Sequence, residues 1–181
     1  MEKKELGVAV IGSGRIGSLR ANMATRHPSV RFLAIADKDP ERANNLAESV
    51  TANMSSGDNL EVISHPEVTT VFVSTPEHDH VEAILQAVEL GKPVFVEKPL
   101  ALTVEDADKI IAAVEKTGVE LRIGYSRRHD RRWMLTKEQI VQGRVGEIMG
   151  ITSRVYNTRA QMLQILERSP EATPVMDVLT Y

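Results

Sequence analysis

Up to about residue 125, short apolar runs alternate with amphipathic segments. The apolar runs have the length of buried strands, and they are followed by Gly, Asp or other polar residues. The longer segments between them repeat apolar residues at helical spacing, which is typical of helices that cover a sheet. The pattern predicts strands at 6–11, 30–36, 69–74, 94–96 and 119–124, and helices at 15–25, 40–49, 80–90 and 104–117.

Turn and capping residues support this division. Asp39 before Pro40 predicts a helix start, and Thr103, with Asp106 three residues later, predicts another. Residues 51–58 leave room for one more strand, and 60–63 fit a short helix. Strands that alternate with helices through short turns predict an α/β Rossmann fold, a doubly wound parallel sheet with helices on both faces.

The regular alternation of apolar runs and amphipathic segments ends after Tyr125. A cluster of arginines precedes a predicted helix at 131–142 and a predicted, partly alternating strand at 146–156. We place a domain boundary near Tyr125, with one domain at 1–125 and the start of another at 126–181. The second segment is too short to bury a good core alone, so we expect it to begin an α+β domain that the chain does not complete.

The composition is that of a globular domain. Hydrophobic residues make up 42% of the 181 residues, and the net charge is −3. These values exclude a disordered chain and argue against nucleic-acid binding through bulk positive charge. The absence of Cys excludes a disulfide framework, a thiolate metal site and a Cys nucleophile. With no apolar run near the roughly 20 residues of a membrane span and no signal-peptide pattern, we expect a cytoplasmic protein without a membrane partner.

A glycine motif follows the first predicted strand and opens the first predicted helix. It reads Gly12, Ser13, Gly14, Arg15, Ile16 and Gly17. Gly12 permits a tight turn, Gly14 lets the backbone approach a diphosphate, and Gly17 lets helix and strand pack closely. The helix N-terminus offers free N–H groups to the anion. A plain glycine-rich turn is the alternative.

Asp37 ends the second strand, 20 residues after Gly17. A carboxylate at this place accepts hydrogen bonds from the adenosine ribose hydroxyls and repels a 2′-phosphate, which favours NAD over NADP. The neighbouring Lys38 is a cation that could tolerate the phosphate, so NADP stays possible. A solvated loop acid is the alternative for Asp37.

Two further polar segments follow strands, at the edge where ligands bind in open α/β sheets. The tripeptide Glu97, Lys98 and Pro99 places a lysine there that can orient a hydroxyl or help move a proton, and its proline is a candidate for a cis bond. The other segment begins Ser74, Thr75 and Pro76 and ends at His80. Its two histidines suggest a metal site, but we expect instead that the segment lines the cofactor cleft and that its polar residues cap the next helix.

Asp177 and Tyr181 lie four residues apart, so one helix face could carry both. Tyr181 is a candidate proton donor or acceptor if an ammonium group such as that of Lys98 lies nearby. A core or surface tyrosine is the alternative.

Together these motifs resemble the Gfo/Idh/MocA family, which includes glucose–fructose oxidoreductase and inositol dehydrogenase. The resemblance rests on 10–17, 74–76, 97–101, 124–128 and 143–148. It implies an NAD(P)-dependent oxidoreductase that transfers hydride between a nicotinamide cofactor and a sugar, an inositol or a related polyol. It also implies a C-terminal domain that binds substrate and forms a homo-oligomer, a dimer or tetramer, in a parent protein about twice as long.

The resemblance also implies roles for single residues. Lys98 would be the family's cleft lysine, and Asp177 the Asp of its D-x-x-x-H motif. Tyr181 stands where that motif has His, which resembles a Tyr branch that includes glucose–fructose oxidoreductase and dihydrodiol dehydrogenase. Arg127 is a candidate contact to cofactor or substrate. Two other readings stay open: a catalytically silent dinucleotide-binding module, sensor or partner subunit, and, less well supported, nucleic-acid binding through the arginines at 127–132.

Overall fold

The computed structural model describes residues 5–168. The chain divides into two compact units, Met1–Ile123 and Gly124–Tyr181. The first unit carries nearly all of the motifs singled out above.

The first unit contains a six-stranded parallel sheet with strand order β3-β2-β1-β4-β5-β6. Its strands are β1 Leu6–Ile11, β2 Val30–Ala36, β3 Met54–Ser56, β4 Thr70–Val73, β5 Val94–Val96 and β6 Leu121–Ile123. Its helices are α1 Arg15–Thr25, α2 Pro40–Val50, α3 Asn59–Ser64, α4 His80–Glu89 and α5 Val104–Thr117. The predicted Rossmann fold is confirmed, including the short third strand.

Helix starts follow the predicted capping residues. The Asp39 carboxylate accepts hydrogen bonds from the backbone N–H groups of Glu41 and Arg42, with Pro40 at the first helical position. The Thr103 hydroxyl accepts one from the N–H of Asp106. These bonds satisfy amide groups that a helix leaves free at its N-terminus.

Both faces of the sheet are buried, because successive side chains of a strand point to opposite sides. In β1, Ala9 and Ile11 pack with α3, α4 and α5, whereas Val8 and Val10 pack with α1 and α2. The helix α5 is buried mainly at Ile110, whereas the neighbouring Ile111 is 47% exposed. The layers are therefore helix, sheet and helix, as in a doubly wound fold.

The strand order places a crevice at the carboxyl ends of β1 and β4. From β1 the chain moves outward to β2 and β3, then crosses back to β4 on the other side of β1. Ligands of open α/β sheets bind where the strand order reverses in this way. The loops that follow β1, β2, β4 and β5 meet at this edge, and they carry the predicted site residues.

The second unit contains α6 Arg131–Val141 and α7 Arg159–Arg168. The predicted strand at 146–156 is wrong, since residues 147–158 have no helix or strand. A strand needs a neighbour to satisfy its N–H and C=O groups, and the described part of this unit offers no other strand. None of the helices within residues 5–168 combines the length and apolar composition of a bilayer crossing.

Candidate functional site

The glycine motif forms a tight turn between β1 and α1. Gly12 has φ of +97°, and a Cβ atom there would lie 2.8 Å from the backbone of Ser74 and Thr75. A Cβ on Gly17 would lie 1.7 Å from the carbonyl oxygen of Gly12. The roles predicted for these two glycines, a tight turn and a close helix–strand approach, therefore agree with the geometry.

Gly14 differs from the other two glycines, because a Cβ atom there would meet only the Arg42 guanidinium, at 3.8 Å. Gly14 is the N-cap of α1, and no side chain caps this helix. The first turn of α1 also lacks acidic residues, whereas α2, α3 and α5 have side-chain caps and acidic residues there. The start of α1, with exposed Arg15 and partly buried Ile16, thus has no acidic side chain of its own helix at its positive dipole end.

Asp37 lies directly against this turn. One carboxylate oxygen accepts a hydrogen bond from the N–H of Ser13 at 2.7 Å, and the other accepts one from the N–H of Asp39 at 3.1 Å. The Arg42 guanidinium lies 3.9 Å from the same carboxylate. Each carboxylate oxygen has a second lone pair, so Asp37 can still accept hydrogen bonds from a ligand.

Three hydroxyl groups at this edge are buried without a hydrogen-bond partner among the described residues. They are Ser13 Oγ, Ser74 Oγ and Thr75 Oγ1. Buried hydroxyls are nearly always paired in folded proteins, so a cluster of unpaired ones indicates a ligand site. The glycine turn, the start of α1, the Asp37 carboxylate and these hydroxyls together fit a dinucleotide, which carries a diphosphate and two ribose groups.

His80 connects two of the loops at the site. Its ring is buried, with Nδ1 2.8 Å from the carbonyl of Pro99 and Nε2 3.2 Å from the carbonyl of Thr75. Burial lowers the pKa of His80 although these carbonyls act in the opposite direction. A neutral ring donates one hydrogen bond, and the shorter distance favours Nδ1–H to Pro99. Through this hydrogen bond, His80 ties the start of α4 to the Lys98–Pro99 turn.

The Lys98 turn is also held from its other side. Arg20 of α1 donates to the Glu97 carboxylate, with Nε at 3.0 Å and Nη2 on the same oxygen. The guanidinium also lies 4.8 Å from the centre of the Phe95 ring. The Lys98–Pro99 bond is cis, as the sequence suggested. Lys98 thus lies between two anchored residues at the carboxyl edge of β5.

The structure corrects the expected capping of α4. Asp79 occupies the N-cap position, but its side chain makes no capping hydrogen bond. Its carboxylate instead accepts a hydrogen bond from Lys38 Nζ at 2.6 Å. A charge-assisted contact to a nearby ammonium competes with local capping, and sequence spacing does not reveal that ammonium.

Three candidate residues do not belong to the first unit. Arg127 is in the second unit, in the 3₁₀ helix Ser126–His129. Asp177 and Tyr181 lie outside the described residues, so their roles stay predictions. Within the described ranges, no three His, Asp or Glu side chains come together as a metal site.

Sequence reasoning missed two residues at this edge, Arg20 and Arg42, and the contact of Asp79 with Lys38. Arg42 had a usable signal, because it lies in the first turn of a helix that starts directly after Asp37. Arg20 and Asp79 had none, since their partners are 77 and 41 residues away in the sequence.

Comparison with known proteins agrees with this geometry. Residues 6–125 match the Gfo/Idh/MocA model, described as an oxidoreductase family with an NAD-binding Rossmann fold. The chain is 34% identical over 140 residues to scyllo-inositol 2-dehydrogenase (NAD(+)) of Bacillus subtilis, which covers 77% of this chain and 41% of that protein.

Solved structures are similar as well. Myo-inositol dehydrogenase from Lactobacillus casei, in complex with NAD(H) and myo-inositol, is 27% identical with a TM-score of 0.72, covering 77% of this chain and 42% of that one. Levoglucosan dehydrogenase, in complex with NADH and levoglucosan, is 28% identical with a TM-score of 0.75, covering 80% and 41%.

The chain spans less than half the length of these relatives. The match to the family covers most of it, including the glycine turn, Asp37 and the Lys98 turn. The resemblance drawn from the sequence is confirmed, and the chain belongs to the Gfo/Idh/MocA oxidoreductase family, with an NAD-binding Rossmann fold.

Proposed function

We propose that the chain binds NAD at the carboxyl edge of its sheet and serves an oxidoreductase that transfers hydride between nicotinamide and a sugar, an inositol or a related polyol. The observation that carries the proposal is the start of α1. This N-terminus has neither a side-chain cap nor an acidic residue in the first turn, and it faces a glycine turn that Asp37 holds in place.

The diphosphate and the adenosine ribose of the dinucleotide have counterparts in the chain. The diphosphate would lie against the backbone at Gly14, where no Cβ blocks its approach and the N–H groups of α1 are available. The Asp37 carboxylate would accept hydrogen bonds from the adenosine ribose hydroxyls. The unpaired hydroxyls of Ser13, Ser74 and Thr75 would gain partners at the same edge.

Lys98 is the candidate for chemistry beyond binding. Bound at this edge, NAD supplies the hydride acceptor for oxidation of a secondary alcohol. The Lys98 ammonium would hold the reacting hydroxyl and stabilise the negative charge that develops on its oxygen. Arg20 and His80 anchor the residues on either side of Lys98, which limits the positions that its backbone can take.

The remaining parts of the proposal rest on the resemblance. Tyr181 would take the hydroxyl proton, Asp177 would orient the polyol, and Arg127 would contact cofactor or substrate. The inositol and levoglucosan dehydrogenases that the chain resembles support a polyol or sugar as substrate. A homo-oligomeric parent protein and a cytoplasmic location belong to the same proposal.

The test uses the full chain in two assays, calorimetric titration with NAD and NADH formation from a panel of inositols, aldoses and levoglucosan. We expect NAD to bind, and we expect Lys98→Met to abolish turnover while NAD binding persists. Lys116→Met, which removes an exposed lysine near the end of α5, is the matched control and should leave both unchanged.

The two assays distinguish an oxidoreductase from a catalytically silent dinucleotide-binding module. Binding with turnover supports the proposal. Binding without turnover on any substrate supports a silent dinucleotide-binding module instead. Absence of NAD binding contradicts the proposal as a whole, and a Lys98→Met variant that keeps most of its rate contradicts the role of Lys98.

A further inference from the structure

An ion pair joins the two loops that flank the glycine turn. Lys38 follows β2 and Asp79 precedes α4, and their side chains meet at 2.6 Å. Because β1 lies between β2 and β4 in the sheet, this contact spans the carboxyl end of β1. The pair therefore lies at the edge where Asp37 would hold the adenosine ribose.

The carboxylate of this pair is the more fixed partner. The Asp79 side chain is 19% exposed, whereas that of Lys38 is 68% exposed. Asp79 occupies an N-cap position without capping its helix, and its second oxygen lies 3.5 Å from Nε2 of His78. A residue type that normally caps a helix is here directed to a lysine across the site.

The two cations that follow Asp37 in the sequence, Lys38 and Arg42, each lie beside a carboxylate. Arg42 lies 3.9 Å from the Asp37 carboxylate. The hydrogen bond to Asp79, with the charge of Glu82, raises the pKa of Lys38, so its ammonium stays protonated and matched to carboxylates. A ribose 2′-phosphate adds a charge of about −1.5 to −2, which needs a cation with no such partner.

We propose that Asp79 is a second residue that selects NAD over NADP: it holds the Lys38 ammonium, so that this charge is not available to a 2′-phosphate beside Asp37. This inference rests on the proposed function. Asp37 acts on the phosphate directly by repulsion, whereas Asp79 acts through Lys38. Lys38, which follows Asp37 and could favour NADP, is thereby withdrawn from that role.

The expected effect is moderate, because the pair is partly exposed to solvent. Exposed ion pairs change an equilibrium by roughly two- to fivefold. A released ammonium can also form a charge-assisted hydrogen bond to the phosphate. We expect Asp79→Asn to lower the ratio of the NADP to the NAD dissociation constant about fivefold, and added salt to reduce this gain.

The test measures both dissociation constants by calorimetry at low ionic strength, using the full chain. Glu82→Gln is the matched control, because it removes a nearby carboxylate that raises the Lys38 pKa by charge alone. We expect it to change the ratio less than twofold. Lys38→Met should have little effect alone, yet should remove the gain when combined with Asp79→Asn.

Three results would overturn the inference. The ratio of the NADP to the NAD dissociation constant in Asp79→Asn could stay within twofold of that of the unmodified chain. The decrease in this ratio could persist in Lys38→Met/Asp79→Asn, or Glu82→Gln could produce the same decrease. If NAD binds the unmodified chain and any of these occurs, only the role of Asp79 fails. If neither nucleotide binds that chain, the proposed function fails together with the inference.

Discussion

Replacing two glycines of one turn by alanine separates the folding role of the turn from its role in binding. In Gly17→Ala the new Cβ would lie 1.7 Å from the Gly12 carbonyl oxygen, where real Cβ contacts do not fall below 3.0 Å. The backbone would have to move by about 1.3 Å. Since both groups belong to the backbone of the β1–α1 turn, we expect a loss of about 3 kcal/mol in the free energy of unfolding.

Gly14→Ala is the matched change without the clash. Gly14 has φ of −69° and ψ of −172°, which any residue adopts, and the nearest atom is Arg42 Nη2 at 3.8 Å. Alanine is a poorer N-cap than glycine. It also lowers the conformational entropy of the unfolded chain, which stabilises the folded state by about 0.4–1 kcal/mol. We expect these effects to cancel to within roughly 0.5 kcal/mol.

For NAD binding, we expect the direct loss of affinity in Gly14→Ala, the variant whose stability is nearly unchanged. The methyl group of Gly14→Ala would occupy the position that the diphosphate approaches, and we expect the affinity for NAD to fall about tenfold or more, equivalent to about 1.4 kcal/mol. Urea unfolding followed by circular dichroism gives the stabilities, and calorimetry gives the affinities. These roles of the two glycines are contradicted if Gly17→Ala is as stable as the unmodified chain, or if Gly14→Ala binds NAD as tightly as that chain does.

Two further predictions concern the buried His80 and the half-buried Lys92. Burial lowers the folded-state pKa of His80, so its contribution to stability is complete above the ordinary value of about 6.5 and is lost as the pH falls toward the lowered pKa. Between pH 7.5 and 5, the free energy of unfolding measured with denaturant should therefore fall less steeply for His80→Gln than for the unmodified chain. Equal slopes would contradict this. Lys92 donates to the carbonyls of Ile63 and His65 at the end of α3, at 2.5 and 2.8 Å, so Lys92→Met should cost about 1–2 kcal/mol of unfolding free energy. The exposed-site variant Lys116→Met should change it by less than about 0.5 kcal/mol, and equal losses in the two would argue against the role of Lys92.

Features that depend on neighbouring residues were predictable from the sequence. The apolar runs identify β1, β2, β4 and β5, because buried strands need continuous apolar residues. Asp39 and Thr103 mark helix starts, because capping is a contact over two or three residues. The glycine turn was recognisable for the same reason: its spacing, between a strand and a helix, reflects local backbone geometry.

Features that depend on distant partners were not predictable. The strand expected at 146–156 had the right alternation, but a strand also needs another strand beside it. The Arg20–Glu97 and Lys38–Asp79 contacts join segments that only the strand order brings together. His80 could be assigned to the cleft, but its role as a link needed the position of the Pro99 carbonyl group.

A crystal structure of the chain grown with NAD tests the proposed site most directly. The proposed site places the diphosphate against the backbone at Gly14, within about 2.7–3.2 Å of N–H groups at the start of α1, with the adenosine ribose hydroxyls on the Asp37 carboxylate. A dinucleotide bound elsewhere on the chain, or an Asp37 carboxylate directed away from the ribose, would contradict it.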